Sequence, residues 1–318
     1  MKQSIHLALL CALAAVGAAP AALPLAAVVP PPAPPSPPAS STSICHATAT
    51  AARQAARRDA QDEYWLAIAN CLNGPDSNAC QHEAAQERQE AFALADEQYH
   101  ARIDACALLG QGAYDPSIDP NDFSSTVDNA YNPLVPGRTL VYDENQAGGE
   151  HDEVTTLPAT IDVNGVRCVE VHDVVTVGGA VIEDTLDFFA QRSNGDAWYF
   201  GEVSQSFEDG FLDNLDGSWR FGKDGARPGI IMLANPQVGD VYRQEFLIAE
   251  AEDIAEVVAT DETVTVPAGT FQHCLKTREW SPLEPDAIEF KLYAPGIGVV
   301  LEVTPSTGER VELVQIIN

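Results

Sequence analysis

The sequence predicts an α+β fold, in which a disulfide-stapled helical hairpin is followed by an antiparallel, strongly curved β-sheet or open half-barrel. Three observations lead to this prediction. A cysteine-bounded repeat spans residues 45–106, the composition changes from alanine-rich to rich in Val, Thr, Ile and aromatic residues, and strand-like segments separated by turn sequences then continue to the C-terminus. Helices and strands that are segregated along a chain in this way are typical of α+β proteins.

The N-terminus has the features of a secretory signal. Met1 and Lys2 are followed by an apolar run from Ile5 to Val16 and by small residues suited to a signal-peptidase site. We therefore predict a signal peptide over residues 1–19, a Pro/Ala-rich linker over residues 20–43, and export to the periplasm, the cell surface or the medium. The apolar run is too short and too interrupted by proline to predict a transmembrane span.

The chain is strongly acidic. It has 47 Asp and Glu residues against 17 Lys and Arg residues, which gives a formal net charge of −30. Nucleic acids and anionic membrane surfaces would repel such a protein, so we expect neither as a partner. The acidity is explained by solubility outside the cell or by cation binding, and the even spread of the acids along the chain favours solubility.

Residues 45–71 and 80–106 are two copies of one helix-like sequence. A shift of 35 positions superimposes both cysteines, three alanines and one residue each of Arg, Gln, Tyr and Ile. Between the copies lies Gly74-Pro75, which cannot continue a helix. The copies are therefore predicted to fold back as an antiparallel hairpin over residues 44–109.

The hairpin geometry predicts how its four cysteines pair. Each copy separates its cysteines by 26 positions, about 39 Å of helix. Antiparallel packing therefore favours Cys45–Cys106 and Cys71–Cys80, one disulfide at each end of the hairpin. The seam between the helices is mostly alanine and buries little area, so two disulfides worth about 3 to 4 kcal/mol each would compensate for a small core.

An acidic linker with turn chemistry is predicted over residues 110–130, and an antiparallel β-domain over residues 131–318. Asn164-Gly165, Gly178-Gly179 and Asn194-Gly195 are predicted to form two-residue hairpin turns. The predicted strands are 138–144, 153–163, 166–176, 180–192, 197–206, 241–248, 254–266, 270–280, 287–293, 298–304 and 309–317.

Three motifs of the β-domain resemble those of a widespread group of secreted bacterial β-rich proteins of unassigned function. They are Asn132–Tyr142 (NPLVPGRTLVY), Val266–Phe271 (VPAGTF) and Tyr293–Val300 (YAPGIGVV). The domain also resembles, more weakly, the half-barrel of lipoprotein-carrier proteins of the bacterial envelope, which would imply an apolar ligand on the concave face. Because these motifs are turns and strand starts, the resemblance implies a fold and no catalytic residue.

Two further cysteines lie in strand-like segments of the β-domain, Cys168 and Cys274. We expect a disulfide between them, because an exported chain that oxidises four other cysteines is expected to oxidise these as well. The alternative is two separate buried thiols.

The strongest candidate for chemistry is a pair of opposed carboxyl groups. If Asn194-Gly195 is a two-residue turn, Gln191 pairs with Trp198, Phe189 with Phe200, and Asp187 with Glu202. Opposed like charges destabilise a sheet, so we expect a shared proton, a metal ion or a basic partner to relieve them. Candidate basic partners are Arg243, Lys276 and Arg278. A surface pair without function is the alternative.

Other candidate residues depend on weaker patterns. Alternation places His172 on one strand face with Cys168 and Glu170, where a His and a carboxylate could move protons or bind metal. Residues 150–152 (Glu-His-Asp) are predicted to form a polar loop tip. Three acids in a turn-rich segment are candidate ligands for a weakly bound calcium ion, although their spacing does not match a calcium-binding loop: Asp209, Asp213 and Asp216.

These observations lead to competing functional hypotheses. The first is a secreted, non-catalytic protein whose β-domain binds a small or apolar ligand or a protein partner. The second is a secreted hydrolase or metal-binding protein that uses Asp187 and Glu202, with His172 as a further candidate. The third is a purely structural envelope component. No sequence motif for a catalytic nucleophile, a phosphate loop or a dinucleotide site is present, so no cofactor is predicted.

Overall fold

The computed structural model describes residues 43–145 and 148–318. The predicted signal peptide, and the predicted linker before Ser43, lie outside the described residues. The elements are α1 (Ile44–Leu72), α2 (Ser77–Leu109), β1 (Phe123–Ser124), β2 (Thr139–Glu144), β3 (Glu150–Val163), β4 (Val166–Val177), β5 (Ala180–Arg192), β6 (Ala197–Glu208), β7 (Phe211–Asn214), β8 (Trp219–Arg220), β9 (Arg227–Met232), β10 (Val241–Arg243), β11 (Glu245–Phe246), β12 (Ile254–Val266), β13 (Gly269–Ser281), β14 (Glu284–Ala294), β15 (Gly298–Thr304) and β16 (Glu309–Ile317).

The two helices form the predicted antiparallel hairpin. Disulfides join Cys45 to Cys106 and Cys71 to Cys80, so both predicted pairs are confirmed. The Ser43 side chain caps α1 by accepting a hydrogen bond from the backbone N–H of His46. The residues buried along the seam are small, as the sequence predicts: Ala49, Ala52, Ala60, Ala84 and Ala95.

The strands form one antiparallel, nearly closed sheet. Hydrogen bonding runs in the order β10-β12-β13-β14-β15-β16-β2-β3-β4-β5-β6-β9-β11, and β1, β7 and β8 are added at its margins. The terminal strands of this order, β10 and β11, are separated in the chain by Gln244 alone. The two ends of the sheet therefore meet at one residue, and the strongly curved sheet is barrel-like.

Closure of the sheet depends on a close approach of two backbones. A Cβ atom at Gly229 in β9 would lie 2.2 Å from the carbonyl carbon of Gln244 and 2.6 Å from the carbonyl oxygen of Arg243. A side chain at position 229 would push these strands apart. Glycine is therefore required where β9 crosses the end of β10.

Most predicted strands are confirmed to within a few residues. The predicted strand 241–248 is wrong, because the segment is divided into β10 and β11, which pair with β12 and β9. The two-residue turns at Asn164-Gly165 and Gly178-Gly179 are also confirmed, since Val163 pairs with Val166 and Val177 with Ala180. Four short strands were not predicted: β1, β7, β8 and β9.

The expected disulfide between Cys168 and Cys274 is wrong. Both are free, buried cysteines. Cys168 belongs to a cluster with Phe188 and Trp198, whereas Cys274 packs in a separate cluster around Leu292. Because the two thiols belong to different parts of the core, no bond joins them. Burial raises the pKa of the Cys168 thiol.

The C-terminal part of α2 packs against the β-domain. Ala105 contacts a cluster that contains Ile254 and Trp280. The Arg102 guanidinium donates three hydrogen bonds of 2.6–3.0 Å to the Glu252 carboxylate, and both side chains are buried. In the described part of the chain, no helix is long and apolar enough to cross a membrane.

Candidate binding site in the acidic lumen

The inner face of the sheet is lined by buried carboxyl groups. Alternation along each strand directs every second side chain inward, and many of these inward side chains are acids where a core normally has apolar residues. We call this set the lumen carboxyl cluster. Its members are Asp152, Asp173, Glu183, Asp187, Glu202, Glu245, Asp253, Glu279, Glu289 and Glu302, all buried.

The lumen carboxyl cluster has a buried cationic partner in Lys291. Its ammonium group lies 3.4 Å from Glu279, 3.7 Å from Glu289 and 3.5 Å from Glu302. Burial lowers the pKa of Lys291, but these three glutamates outweigh burial and raise it well above its usual range. One lysine cannot neutralise all ten acids of the cluster.

Several lumen acids retain protons near neutral pH. Burial raises the pKa of Asp187 to about 8, and the charge of Asp173 adds to the shift. Burial also raises the pKa values of Asp152 and Asp253 to about 7. For Glu202 the shift is again upward, first because of burial and then because of the charge of Glu245.

The predicted opposition of Asp187 and Glu202 is confirmed, although the predicted register between them and the turn is wrong. The Arg192 N–H bonds to the Asp196 carbonyl oxygen, so the loop has three residues instead of two and Gln191 pairs with Ala197. A bulge then restores the predicted pairing.

The bulge lies in β6, because Asp187 and Phe189 are two residues apart whereas Glu202 and Tyr199 are three apart. It contains Gly201, whose φ is 137° and whose Cβ, if present, would lie 2.4 Å from the Trp219 carbonyl oxygen. The two deviations from the predicted register cancel at Asp187 and Glu202.

Asp187 is relieved by a hydroxyl group and a retained proton, not by a base. The Tyr199 hydroxyl donates a 2.5 Å hydrogen bond to the Asp187 carboxyl. The expected basic partners lie elsewhere. Arg243 stacks on Phe246, Lys276 lies over the Phe290 ring, and Arg278 is paired with Glu256 on another part of the surface.

His172 does not join the opposed carboxyl groups. Its neighbour Asp173 faces the lumen, so His172 lies on the outer face, where Nε2 is 2.9 Å from the Asp184 carboxylate. Cys168 and Glu170 lie on the same face of β4 as His172, as predicted. An acid–base arrangement of His172 with Asp187 and Glu202 is therefore absent from the described structure.

The other predicted polar segments show no metal centre. Among the described residues, no group of three or more His, Cys, Asp or Glu side chains is arranged to hold a metal ion. Asp209, Asp213 and Asp216 therefore do not form the predicted calcium site in this structure. The predicted loop tip at residues 150–152 is wrong, because these residues begin β3. Asp152 is buried in the lumen, whereas His151 is half-exposed and paired with Asp143.

A cavity of about 120 Å³ opens into the lumen. The more exposed part of its lining is mostly apolar and includes Leu134, Leu140, Ile297 and Val299. The lining also includes Arg138, whose guanidinium donates hydrogen bonds to the Gly296 carbonyl oxygen and the Asn318 side chain. Parts of two of the motifs identified in the sequence, residues 132–142 and 293–300, contribute to this lining. The strand-start and turn sequences that indicated only a fold therefore also shape the entrance to the lumen.

The deeper wall of the cavity combines aromatic rings with carboxyl groups. Tyr142, Phe189 and Tyr293 line it together with three acids and Lys291. The Tyr293 hydroxyl donates a 2.8 Å hydrogen bond to Glu279, which fixes both side chains. The acids are Asp173, Asp187 and Glu279.

Of the lumen carboxyl cluster, the sequence analysis identified only Asp187 and Glu202, and it did not identify Lys291. A signal was present in the alternation of Glu289, Lys291 and Tyr293 along one strand, since these residues share a face. Acids on alternating positions are normally assigned to the solvent side. The burial of Lys291 and of Glu302, its partner on the neighbouring strand, shows that this face is interior.

No protein-family profile and no curated protein matches the chain. Among solved structures, one similar chain is a crystal structure described as a putative lipoprotein from Parabacteroides distasonis ATCC 8503. It is 14% identical, with 59% of this chain and 99% of that chain covered and a TM-score of 0.33. A TM-score at this level does not establish a shared fold, and the resemblance drawn from the three motifs stays a prediction.

Proposed function

We propose that the β-domain is a non-catalytic binding module for a small organic cation, a protonated amine with a compact apolar body. The observation that supports this most directly is the composition of the lumen cavity. A mostly apolar entrance leads to aromatic rings and to three buried carboxyl groups, which outnumber the two cations of the lining, Lys291 and the half-buried Arg138. The two disulfides are typical of exported proteins, in which such a module would meet its ligand outside the cytoplasm.

The electrostatics of the lumen favour a cationic ligand over a neutral or anionic one. Carboxyl groups in a buried site ionise only at a cost in free energy unless a positive charge compensates them. An ammonium group beside Asp187 and Asp173 would supply this charge. Its attraction to the faces of Tyr142 and Tyr293 would add about 0.5 to 2 kcal/mol.

The cavity volume limits the size of the ligand. A dry apolar cavity of about 150 Å³ is known to accept benzene, and the lumen cavity measures about 120 Å³. Because the lumen cavity is the smaller of the two, it can enclose at most a single ring or a short branched alkyl group. Long acyl chains do not fit in this cavity.

The same site predicts that binding releases protons. Asp187, with a pKa of about 8, is largely protonated at neutral pH. An ammonium ligand favours its ionised form, so binding displaces the proton. The affinity for an amine should therefore increase as pH rises from about 5.5 to 8.5, whereas a neutral ligand of the same shape should show no such increase.

Isothermal titration calorimetry with benzylamine, benzyl alcohol and benzoate tests the proposal. We expect benzylamine to bind the most tightly, with proton release visible as a dependence of the heat on the buffer. Asp187→Asn should weaken binding at least ten-fold, whereas the matched control Asp184→Asn, on the outer face of the same strand, should not change it. Equal binding of benzyl alcohol, or preference for benzoate, would overturn the proposal.

A second candidate function, a hydrolase that uses Asp187 and Glu202, is supported by their confirmed opposition and raised pKa values. Two observations weigh against it. Asp187 lines the lumen cavity but Glu202 does not, and His172 lies on the other face of the sheet. Turnover of nitrophenyl esters or glycosides that disappears in Asp187→Asn, with no retained ligand in native mass spectrometry of the exported protein, would favour this function instead.

A further inference from the structure

A second cavity lies at the junction between the hairpin and the β-domain, away from the lumen. We call it the junction cavity, and its volume is about 310 Å³. It is bounded by the Cys45–Cys106 end of the hairpin, by the linker at Tyr114, and by β10 and β11.

Arg243 is the side chain that gives the junction cavity its chemistry. Its guanidinium lies between two rings, 5.5 Å from the centre of Tyr114 and 4.8 Å from that of Phe246. Within residues 43–145 and 148–318, it makes no hydrogen bond and has no carboxylate within 4.0 Å. Burial lowers its pKa, and the more distant charge of Glu252 only partly opposes this shift.

The nearby acid is already occupied. The Glu252 carboxylate accepts all three hydrogen bonds from Arg102, and its Oε1 also accepts the Ala249 backbone N–H at 2.9 Å. The Arg102 charge is therefore compensated and the Arg243 charge is not. A cavity with an excess positive charge stands out in a chain of net charge −30.

The rest of the junction cavity is preformed and largely apolar. The Tyr114 hydroxyl donates a 2.9 Å hydrogen bond to the Pro228 carbonyl oxygen, and its ring meets Phe246 edge to face at 5.3 Å. These contacts hold the rings in place beside Arg243. The remaining walls include Ile44, Leu109 and Ile248.

We propose that the junction cavity binds an amphiphile with an anionic head group, such as a medium-chain fatty acid carboxylate. The planar guanidinium of Arg243 would donate paired hydrogen bonds to the two carboxylate oxygens. The alkyl chain would lie against the apolar walls, where burial of methylene groups is favourable. This site is independent of the lumen, and its ligand has the opposite charge.

The test uses the full-length protein and decanoate, with decanol and decylamine as neutral and cationic probes of the same length. Isothermal titration calorimetry at low salt should show one decanoate per chain and at least ten-fold weaker binding of decanol. Arg243→Met keeps an unbranched stem between the two rings but removes the charge, and should reduce decanoate affinity at least ten-fold.

Arg278→Met is the matched control, because Arg278 also lies over an aromatic ring, 4.5 Å from the centre of Trp280. It should bind decanoate like the wild type. Equal affinity of Arg243→Met and wild type, or decanol binding as tightly as decanoate, would overturn the proposal. The second comparison uses the wild type alone and so holds even if Arg243→Met does not fold. Saturating benzylamine should leave decanoate affinity unchanged, and competition between them would overturn the independence of the two sites.

Discussion

At the scale of single residues, the contact between Asp187 and Tyr199 shows how a buried acid can be tolerated without a counter-charge. The Tyr199 hydroxyl donates a hydrogen bond to the carboxyl, and burial of the pair raises the pKa of Asp187 so that it keeps a proton at neutral pH. A carboxyl group in this state is uncharged and acts as a polar core residue. Ionisation, in contrast, would leave a charge in the lumen.

This state predicts the effect of Asp187→Asn on stability. Asparagine cannot ionise and can still accept the Tyr199 hydrogen bond. The folded-state pKa of Asp187 is about 8, above its ordinary value of 3.8, so the unfolded chain loses this proton first as pH rises. The variant should match the wild type near pH 4 and become more stable by about 1.4 kcal/mol per pH unit up to about pH 8.

Urea unfolding at pH 4.5, 6 and 7.5 measures this difference. Asp184→Asn is the control, because Asp184 lies on the same strand but pairs with His172 at the surface. A loss of stability in Asp187→Asn at pH 7.5 would mean that the carboxylate is ionised and holds a cation.

At the scale of elements, the hairpin is attached to the sheet through a buried ion pair. Arg102 and Glu252 are both buried and joined by three hydrogen bonds. Arg102→Met would leave the Glu252 charge buried without its cation, so we expect a loss of about 3 to 5 kcal/mol in the free energy of unfolding. Chemical denaturation at pH 7 gives this value.

A double variant separates the ion pair from the packing around it. Arg102→Met with Glu252→Gln removes both charges and should recover part of the loss. The half-exposed pair of Arg53 and Asp96 is the control, and Arg53→Met should leave the free energy of unfolding almost unchanged. If Arg102→Met also costs under about 1 kcal/mol, the hairpin is not held by this pair.

Local signals along the chain explain which elements could be predicted. The hairpin and its disulfides follow from the repeat, because equal cysteine spacing allows one antiparallel arrangement to bridge both ends. Short strands such as β8 and β9 could not be predicted, because tertiary contacts form them: β8 depends on the bulge at Gly201, and β9 on its crossing with Gln244.

At the scale of the whole molecule, the lumen carboxyl cluster predicts an unusual dependence of stability on pH. The raised pKa values of Asp152, Asp187 and Asp253, at about 7 to 8, mean that the folded state binds more protons than the unfolded chain between about pH 4 and 8. Stability should therefore fall as pH rises through this range.

The urea midpoint of the wild type, measured between pH 4.5 and 9, tests this dependence. Saturating benzylamine should reduce the fall, because a bound cation compensates the ionised acids. A midpoint that is constant or rises with pH would contradict the protonated state of the lumen.

The candidate site could be predicted only in part, for a reason that concerns the whole molecule. The opposition of Asp187 and Glu202 is a local property of one hairpin and follows from strand pairing. Whether that pair faces solvent or a lumen depends on the pairing of β16 with β2 and on closure of the sheet at Gln244, which no local pattern encodes. The same closure turns Glu279, Glu289 and Glu302 from apparent surface acids into buried ones.

The pairing of β16 with β2 also has a consequence for the order of folding. Strands β2–β6 and β12–β16 are two meanders whose pairings are each local in the chain, but the seam between them joins residues 139–144 to residues 311–317. Each meander can form early, whereas the seam has to wait for the end of the chain and for the loss of entropy that its long loop requires. The barrel is thus two half-sheets docked late, and its slowest folding step should be the meeting of its first long strand with its last.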